Sequence, residues 1–323
     1  MGILQVIQAK LFGSFAGGEL RALRQLFTPA FRRSLEASEQ QSAGNNPRLQ
    51  IATSLAWIDK IPLARFAQTQ KDFNDNVIDA GVELGDLMIV RTTALAANGK
   101  LMLRESRSAI VQAKVAKKPT AVVPVGPTST TRATSSSKEL KLLEEWPKFH
   151  LYQTSASKKP ELRNVNVDAN LPHSFFWAFW KGRGWAAAKA KRGVTCNEKL
   201  DTFFENLRSH TYGADCHDTS EWARLTHAVL EIAQSRTLPT SLGANDARVQ
   251  TSVVSRAGFS FPFPERPKMA LLFIDVLFWE DGTPGDVSLL QVGNPWTTSD
   301  DIEEIPNQGL AEAMLRRLRY PRH

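Results

Sequence analysis

The chain has 323 residues, of which 42% are hydrophobic and 23% charged, and a formal net charge of +7. That composition excludes a disordered chain, and two cysteines, Cys196 and Cys216, are too few for a disulfide scaffold; one large globular domain or two ordinary ones are expected. No uninterrupted apolar run of about 18 residues occurs, and MGILQVIQAKLFGSF carries neither a secretion signal nor, with Val6, a myristoylation pattern, so a soluble cytoplasmic protein without a membrane partner is expected.

In chain order, the first 70 residues read as helical. FGSFAGGELRALRQLF is followed by TPAFRRSLEASEQQ, where Thr28 is a candidate N-cap with Pro29 at the first helical position, and then by PRLQIATSLAWIDKI. Strand composition starts at VELGDLMIV, residues 82 to 90. After ALAANGK, with its Asn98-Gly99 turn signal, come LMLRE and SAIVQAKVA, so consecutive strands in hairpin contact are expected. Residues 117 to 137 hold three prolines and many Ser and Thr, and no acidic residue occurs between Ser106 and Lys138. The segment reads either as a flexible surface loop or as one that orders on a phosphate backbone, with Lys117 and Lys118 at its start. KELKLLEEWPKFHLYQT gives a helix stopped by Pro147 and then a short strand.

The stretch LPHSFFWAFWKGRGWAAAKAKRG, residues 171 to 193, sets Phe175, Phe176, Trp177, Phe179, Trp180 and Trp185 beside Lys181, Arg183, Lys189, Lys191 and Arg192. Two readings are open: a groove or stacking platform for nucleic acid, or a buried aromatic helix with a solvated basic end. NEKLDTFFENLRSH and TSEWARLTHAVLEIAQS read as amphipathic helices. KMALLFIDVLFWEDGTPGDVSLLQVG reads as two strands about an Asp281-Gly282 turn, ahead of the arginine-rich helix AEAMLRRLRY.

Chemistry is concentrated where Gln112 and Lys114 interrupt the apolar run AIVQAKV two residues apart, on one face of a strand. Asp86 lies 26 positions before Gln112, and pairing of the two strands would bring all three together. A carboxylate, an amide oxygen and an ammonium suit metal-assisted phosphodiester hydrolysis. Asp86 and Gln112 would hold a hard cation, while Lys114 orients or activates water and offsets developing charge. The apolar neighbours Ala109, Ile110, Val111, Ala113 and Val115 predict a strand covered on both faces, against the alternative of an edge strand whose polar residues face water.

With these residues the sequence resembles the PD-(D/E)xK, or restriction endonuclease-like, nuclease superfamily. Gly85-Asp86 stands for its PD and Gln112-Ala113-Lys114 for its (D/E)xK, over roughly residues 30 to 155. The resemblance implies an α/β fold in which residues 1–160 form a restriction endonuclease-like core, a mixed β-sheet flanked by helices. Residues 161–323 would add an α+β C-terminal region, basic and aromatic, able to pack on the core as one unit. It further implies Mg²⁺, with Mn²⁺ as a substitute, DNA as the substrate, and a setting in restriction or antiphage defence, with room for a regulatory or sensor subunit and for a homo-oligomer. The family often draws a glutamate from its first helix; Glu36 and Glu39 are the candidates here, unless they only face solvent. Glu83, three before Asp86, is expected on the opposite strand face. Gln112 departs from the family's acid and removes a negative charge from the site. That opens the alternative of a non-catalytic nucleic-acid-binding or assembly subunit.

Other chemistries find no spacing to support them. Cys196, His210, Cys216, His217 and His227 match no usual zinc pattern, and no nucleophile turn or phosphate loop occurs. These residues are expected in packing or at the surface.

Overall fold

The computed structural model describes residues 18–58, 62–97, 100–182, 184–216, 219–234, 269–280 and 291–292. Helices α1 (Glu19–Leu26) and α2 (Pro29–Ser42) lead into β1 (Leu49–Ile58). The short strands β2 (Leu63–Phe66), β3 (Gln70–Lys71), β4 (Val77–Ile78) and β5 (Val82–Glu83) precede the long pair β6 (Leu87–Ala97) and β7 (Lys100–Val115). Next come β8 (Ala121–Val122), α3 (Ser135–Glu145), β9 (Phe149–Tyr152), β10 (Leu162–Val165), β11 (Ser174–Trp180) and β12 (Gly184–Lys189). The remainder is β13 (Thr195–Cys196), β14 (Glu198–Lys199), α4 (Leu200–Arg208), β15 (Ala214–Asp215), α5 (Glu221–Gln234), β16 (Met269–Trp279) and β17 (Gln291–Val292).

Among the described residues these elements build a mixed α/β fold around a curled nine-stranded sheet, in the order β1-β16-β6-β7-β11-β12-β14, with β15 and β17 also on β7. β6 and β7 form an antiparallel hairpin, Ala97 facing Lys100, and β11 runs parallel to β7 on its other side. One sheet face packs Ile89, Val111 and Trp177 against Phe27, which caps the end of α1, Phe31 of α2 and Phe203 of α4. The other packs Met88, Ile110 and Phe176 against Leu140 and Leu143 of α3 and Leu225 of α5. β7 is therefore covered on both faces and paired on both edges, and Gln112 is fully buried. The edge-strand alternative falls.

Thr28 caps α2 as its position suggests, accepting from the Phe31 N–H at 3.2 Å with Pro29 at the first helical position. PRLQIATSLAWIDKI is a correction. Residues 49 to 58 form a strand, because Leu49, Ile51, Leu55 and Trp57 alternate with small or polar residues and the whole stretch pairs with β16. The aromatic stretch is a second correction. It is the β11–β12 hairpin rather than a helix, and Phe175, Phe176, Trp177 and Phe179 are fully buried, with Trp185 nearly so. Rings closed into the core offer no face to a base, so they are not a stacking platform.

Residues 117–137 are pinned, not loose. β8 pairs with β13, the Ser136 hydroxyl donates to the Val125 carbonyl at 3.1 Å, and the Asn74 and Asn76 side-chain amides both donate to the Ser129 carbonyl. The short strand expected after α3 is β9, which joins a separate small sheet with β10 and β2. The strand that lies beside β7 after α3 is β11, beyond the window of the family resemblance. Both sides of position 160 contribute to one sheet, with β16 inserted between β1 and β6. The Asn98-Gly99 and Asp281-Gly282 turns, Arg183, His217 and the arginine-rich helix lie outside the described residues.

Candidate functional site

The site is built where β6 begins. The chain arrives at Leu87, opposite Val111, through Gly85, whose position is set by contact. A Cβ there would lie 2.7 Å from Ile110 Cγ2 and 3.2 Å from the Val111 carbonyl oxygen, so only glycine lets the backbone press onto β7. The Asp86 N–H then donates to the Val111 carbonyl at 3.0 Å, and the Ala113 N–H donates to Asp86 Oδ2 at 2.9 Å. Gln112 Nε2 donates to the same Oδ2. Its other amide atom, Oε1, is buried and accepts no hydrogen bond. An amide oxygen shut away from water and protein partners is costly unless a ligand takes it.

Lys114 follows on the same face of β7, and its ammonium meets a residue that spacing did not single out. Glu139 of α3 is 3% exposed, with its Oε1 3.3 Å and its Oε2 3.0 Å from Lys114 Nζ. Only Oε1 has hydrogen-bond geometry, and Oε2 carries no hydrogen bond. Glu19, in the first turn of α1, reaches to 4.0 Å of Lys114 Nζ. The signal for Glu139 was available in the sequence of α3: it shares the buried stripe of Ser136, Leu140 and Leu143, where a carboxylate needs a partner. No local spacing pointed to Glu19.

Charge in this cluster is crowded and dry. Burial pushes the Asp86 carboxyl well above its ordinary range; the Lys114 ammonium pulls it down, while Glu139 and Glu83 push it further up. Burial also raises Glu139, against the pull of Lys114. For Lys114 burial acts downward, but Glu139 and Asp86 outweigh it and hold the ammonium above its usual range. Glu83 therefore acts on the site despite its expected opposite face. β5 ends at Glu83 and β6 starts at Leu87, so strand alternation does not carry from one to the other.

Asp86, Gln112 and Lys114 thus come together as their spacing implied; Glu36 and Glu39 do not join them. Both face the opposite side of the sheet, where Glu39 pairs with Arg91 at 3.1 Å, and Glu36 accepts from the Thr53 N–H at 3.0 Å and hydroxyl at 2.7 Å. With Arg32, which donates to the Thr53 carbonyl, Glu36 covers backbone of β1. The basic residues divide. Lys117 and Lys118 are exposed just past the end of β7, and Lys181 is exposed just past the end of the parallel β11, so the three share one rim. Lys189 sits over the Tyr212 ring on the other face, and the Arg192 guanidinium packs on Phe73 at 4.6 Å. Lys191 lies beyond the opposite end of β12 from Lys181.

His210 pairs with Glu105 at 3.0 Å; Cys196 is a buried thiol pushed up to about 12 by burial, and the buried Cys216 thiol donates to the Ser106 hydroxyl at 3.2 Å. Among the described residues no three His, Cys, Asp or Glu side chains gather as a metal site. The oxygens at the site are the Asp86 carboxylate, whose Oδ2 takes the Gln112 amide and the Ala113 N–H, and Gln112 Oε1, which accepts no hydrogen bond. This set fits a hard cation that keeps several waters, such as Mg²⁺, and not zinc. No helix among the described residues is long and apolar enough to cross a membrane. Compared with family models, curated proteins and solved structures, the chain finds no match.

Proposed function

We propose that the chain is a metal-dependent nuclease that hydrolyses phosphodiester bonds of DNA, on a restriction endonuclease-like core. The observation that carries this reading is the convergence of Asp86, Gln112 and Lys114 at the start of β6, with Gln112 Oε1 left without a hydrogen bond. Asp86 and Gln112 Oε1 would hold the cation, Mg²⁺ or Mn²⁺. Bound there, it supplies charge against the phosphoryl oxygens and lowers the pKa of water. Lys114, kept charged by Glu139 and Asp86, orients water and offsets the negative charge that develops on the phosphate. Lys117, Lys118 and Lys181 on the rim take the neighbouring backbone phosphates. A cytoplasmic restriction or antiphage effector, working as an oligomer or with a regulatory partner, is the setting that suits this chemistry.

The second reading, a non-catalytic DNA-binding or assembly subunit, is favoured by one observation: Asp86 Oδ2 is already satisfied by Gln112 and Ala113. Plasmid cleavage with Mg²⁺ or Mn²⁺ separates the two. Cleavage by the wild type that is lost in Asp86→Ala and Lys114→Ala is the expected result. A wild type that shifts DNA in a gel but cuts none under either metal belongs to the second reading.

A further inference from the structure

We infer that the outer face of the small sheet β10-β9-β2-β5 binds single-stranded nucleic acid, with Tyr152 and Arg65 as the stacking pair for an unpaired base. This surface is separate from the Asp86 site, and the inference does not need that site to cut. Register defines the face. Ala64, Val82, Phe149, Leu151 and Val165 are buried on the inner side, where the sheet shares a core with α3 and α5. The pairs Leu63–Tyr152, Leu63–Glu83 and Arg65–His150 therefore point outward, and these side chains are partly exposed. The rings of residues 175 to 179 are closed into the core; that of Tyr152 stays half open.

The Arg65 guanidinium lies over the Tyr152 ring at 4.3 Å and donates to the Ser155 carbonyl at 2.6 Å, which holds it in place. A guanidinium stacked on a half-open ring offers a flat surface for a base and a charge for its phosphate. Around the pair stand Lys148 just before β9, Lys158 and Lys159 between β9 and β10, and Arg163 on β10, all exposed. Among the described residues none of these cations, nor Arg65, is ion-paired. Glu83 and the exposed Glu161 are the acids of the same strands and hairpin, so cations are in excess, and the charge selects a polyanion. A merely solvated face accounts for the lysines. It needs no aromatic ring on an outward row and no guanidinium held upon it.

The test is binding of a fluorescein-labelled thymidine oligonucleotide of about 15 nucleotides to the full chain in chelator, read by anisotropy across a salt series. Tyr152→Ala is expected to weaken binding by about tenfold, and Tyr152→Phe, which keeps the ring, to stay within about twofold of wild type. Arg65→Ala is expected to weaken it and to lower the salt slope by about 0.7, the share of one phosphate on a single strand. Arg33→Ala, exposed on α2 over the opposite face of the large sheet, is expected to leave both unchanged. Equal affinity in wild type and Tyr152→Ala overturns the inference, as does a wild type that binds no oligonucleotide at about 100 μM protein. Should Tyr152→Ala not fold, Lys158→Ala with Lys159→Ala decides: an unchanged salt slope overturns the inference. A polyglutamate peptide that binds with the same dependence on Tyr152 assigns the face to an acidic protein and overturns it as well. Oligonucleotide binding that depends on Tyr152, in a chain that cuts no DNA, supports this surface and sinks the nuclease reading instead.

Discussion

Gln112 donates its side-chain amide to Oδ2 of Asp86 across the β6–β7 pair, and that same oxygen takes the Ala113 N–H. The contact ties the two halves of the candidate site before any ligand arrives. Replacing the donor by an acid should therefore be costly and rescuable. In Gln112→Glu two carboxylates meet in a dry site and cannot both ionise. The metal-free variant is expected to lose about 1–3 kcal/mol at pH 8, and millimolar Mg²⁺ to restore much of it. Thermal denaturation with and without the ion measures this; a variant as stable as wild type in chelator would contradict the contact.

Lys114 and Glu139 form a buried pair, so single removals should hurt more than joint removal. Lys114→Met leaves Glu139 without its counter-charge and is expected to cost about 3 kcal/mol in chelator. The double variant Lys114→Met, Glu139→Leu is expected to recover most of that loss. Urea denaturation of the four proteins gives the coupling, and additive losses would refute it.

Gly85 is held by contact with β7 rather than by a left-handed backbone. Gly85→Ala places a methyl against Ile110 Cγ2 and the Val111 carbonyl and is expected to cost about 1–3 kcal/mol. Removing the Cγ2 methyl in Gly85→Ala, Ile110→Ala should make the two losses less than additive, because the shortest contact is to Ile110 Cγ2 and the rest is backbone. Denaturation midpoints decide.

His173 is fully buried against Trp146 and Trp222, with ring centroids at 5.0 and 4.0 Å, and burial lowers it to about 3. The folded state keeps the ring neutral, while the unfolded chain takes up a proton below about pH 6.5. Its contribution to stability is complete above that pH and is lost progressively as pH falls toward about 3. At pH 5 the loss from this group is about 2 kcal/mol. His173→Gln should flatten the fall in stability between pH 7.5 and 5; an unchanged slope would assign it to other groups.

The rim and the opposite basic group make separable demands on DNA binding. Lys117→Ala, Lys118→Ala and Lys181→Ala together are expected to weaken binding and to lower the salt slope by about 1 per residue. Lys189→Ala with Lys191→Ala is expected to leave the slope near that of the wild type, since Lys189 lies on the other face. Fluorescence anisotropy across a salt series measures both.

The sequence by itself determined the hairpin of β6 and β7, the cap at Thr28, and the meeting of Asp86 with Gln112 and Lys114. Each follows from local rules: turn residues between strands, a hydroxyl before a helix, and side chains two apart on one strand face. Tertiary structure decided what local rules leave open. Whether LQIATSLAWI becomes a strand depends on β16, more than 200 residues later, offering it a full ladder. Glu36 and Glu39 are carried to the far face because α2 packs through Phe31 and Leu35 on that side. Glu139 reaches Lys114 only because α3 packs Leu140 and Leu143 on the sheet face that carries Ile110. Non-local pairing and packing choose among faces that a spacing rule treats as equivalent, and here they carry Glu36 and Glu39 of α2 away from Lys114 and bring Glu139 of α3 to it.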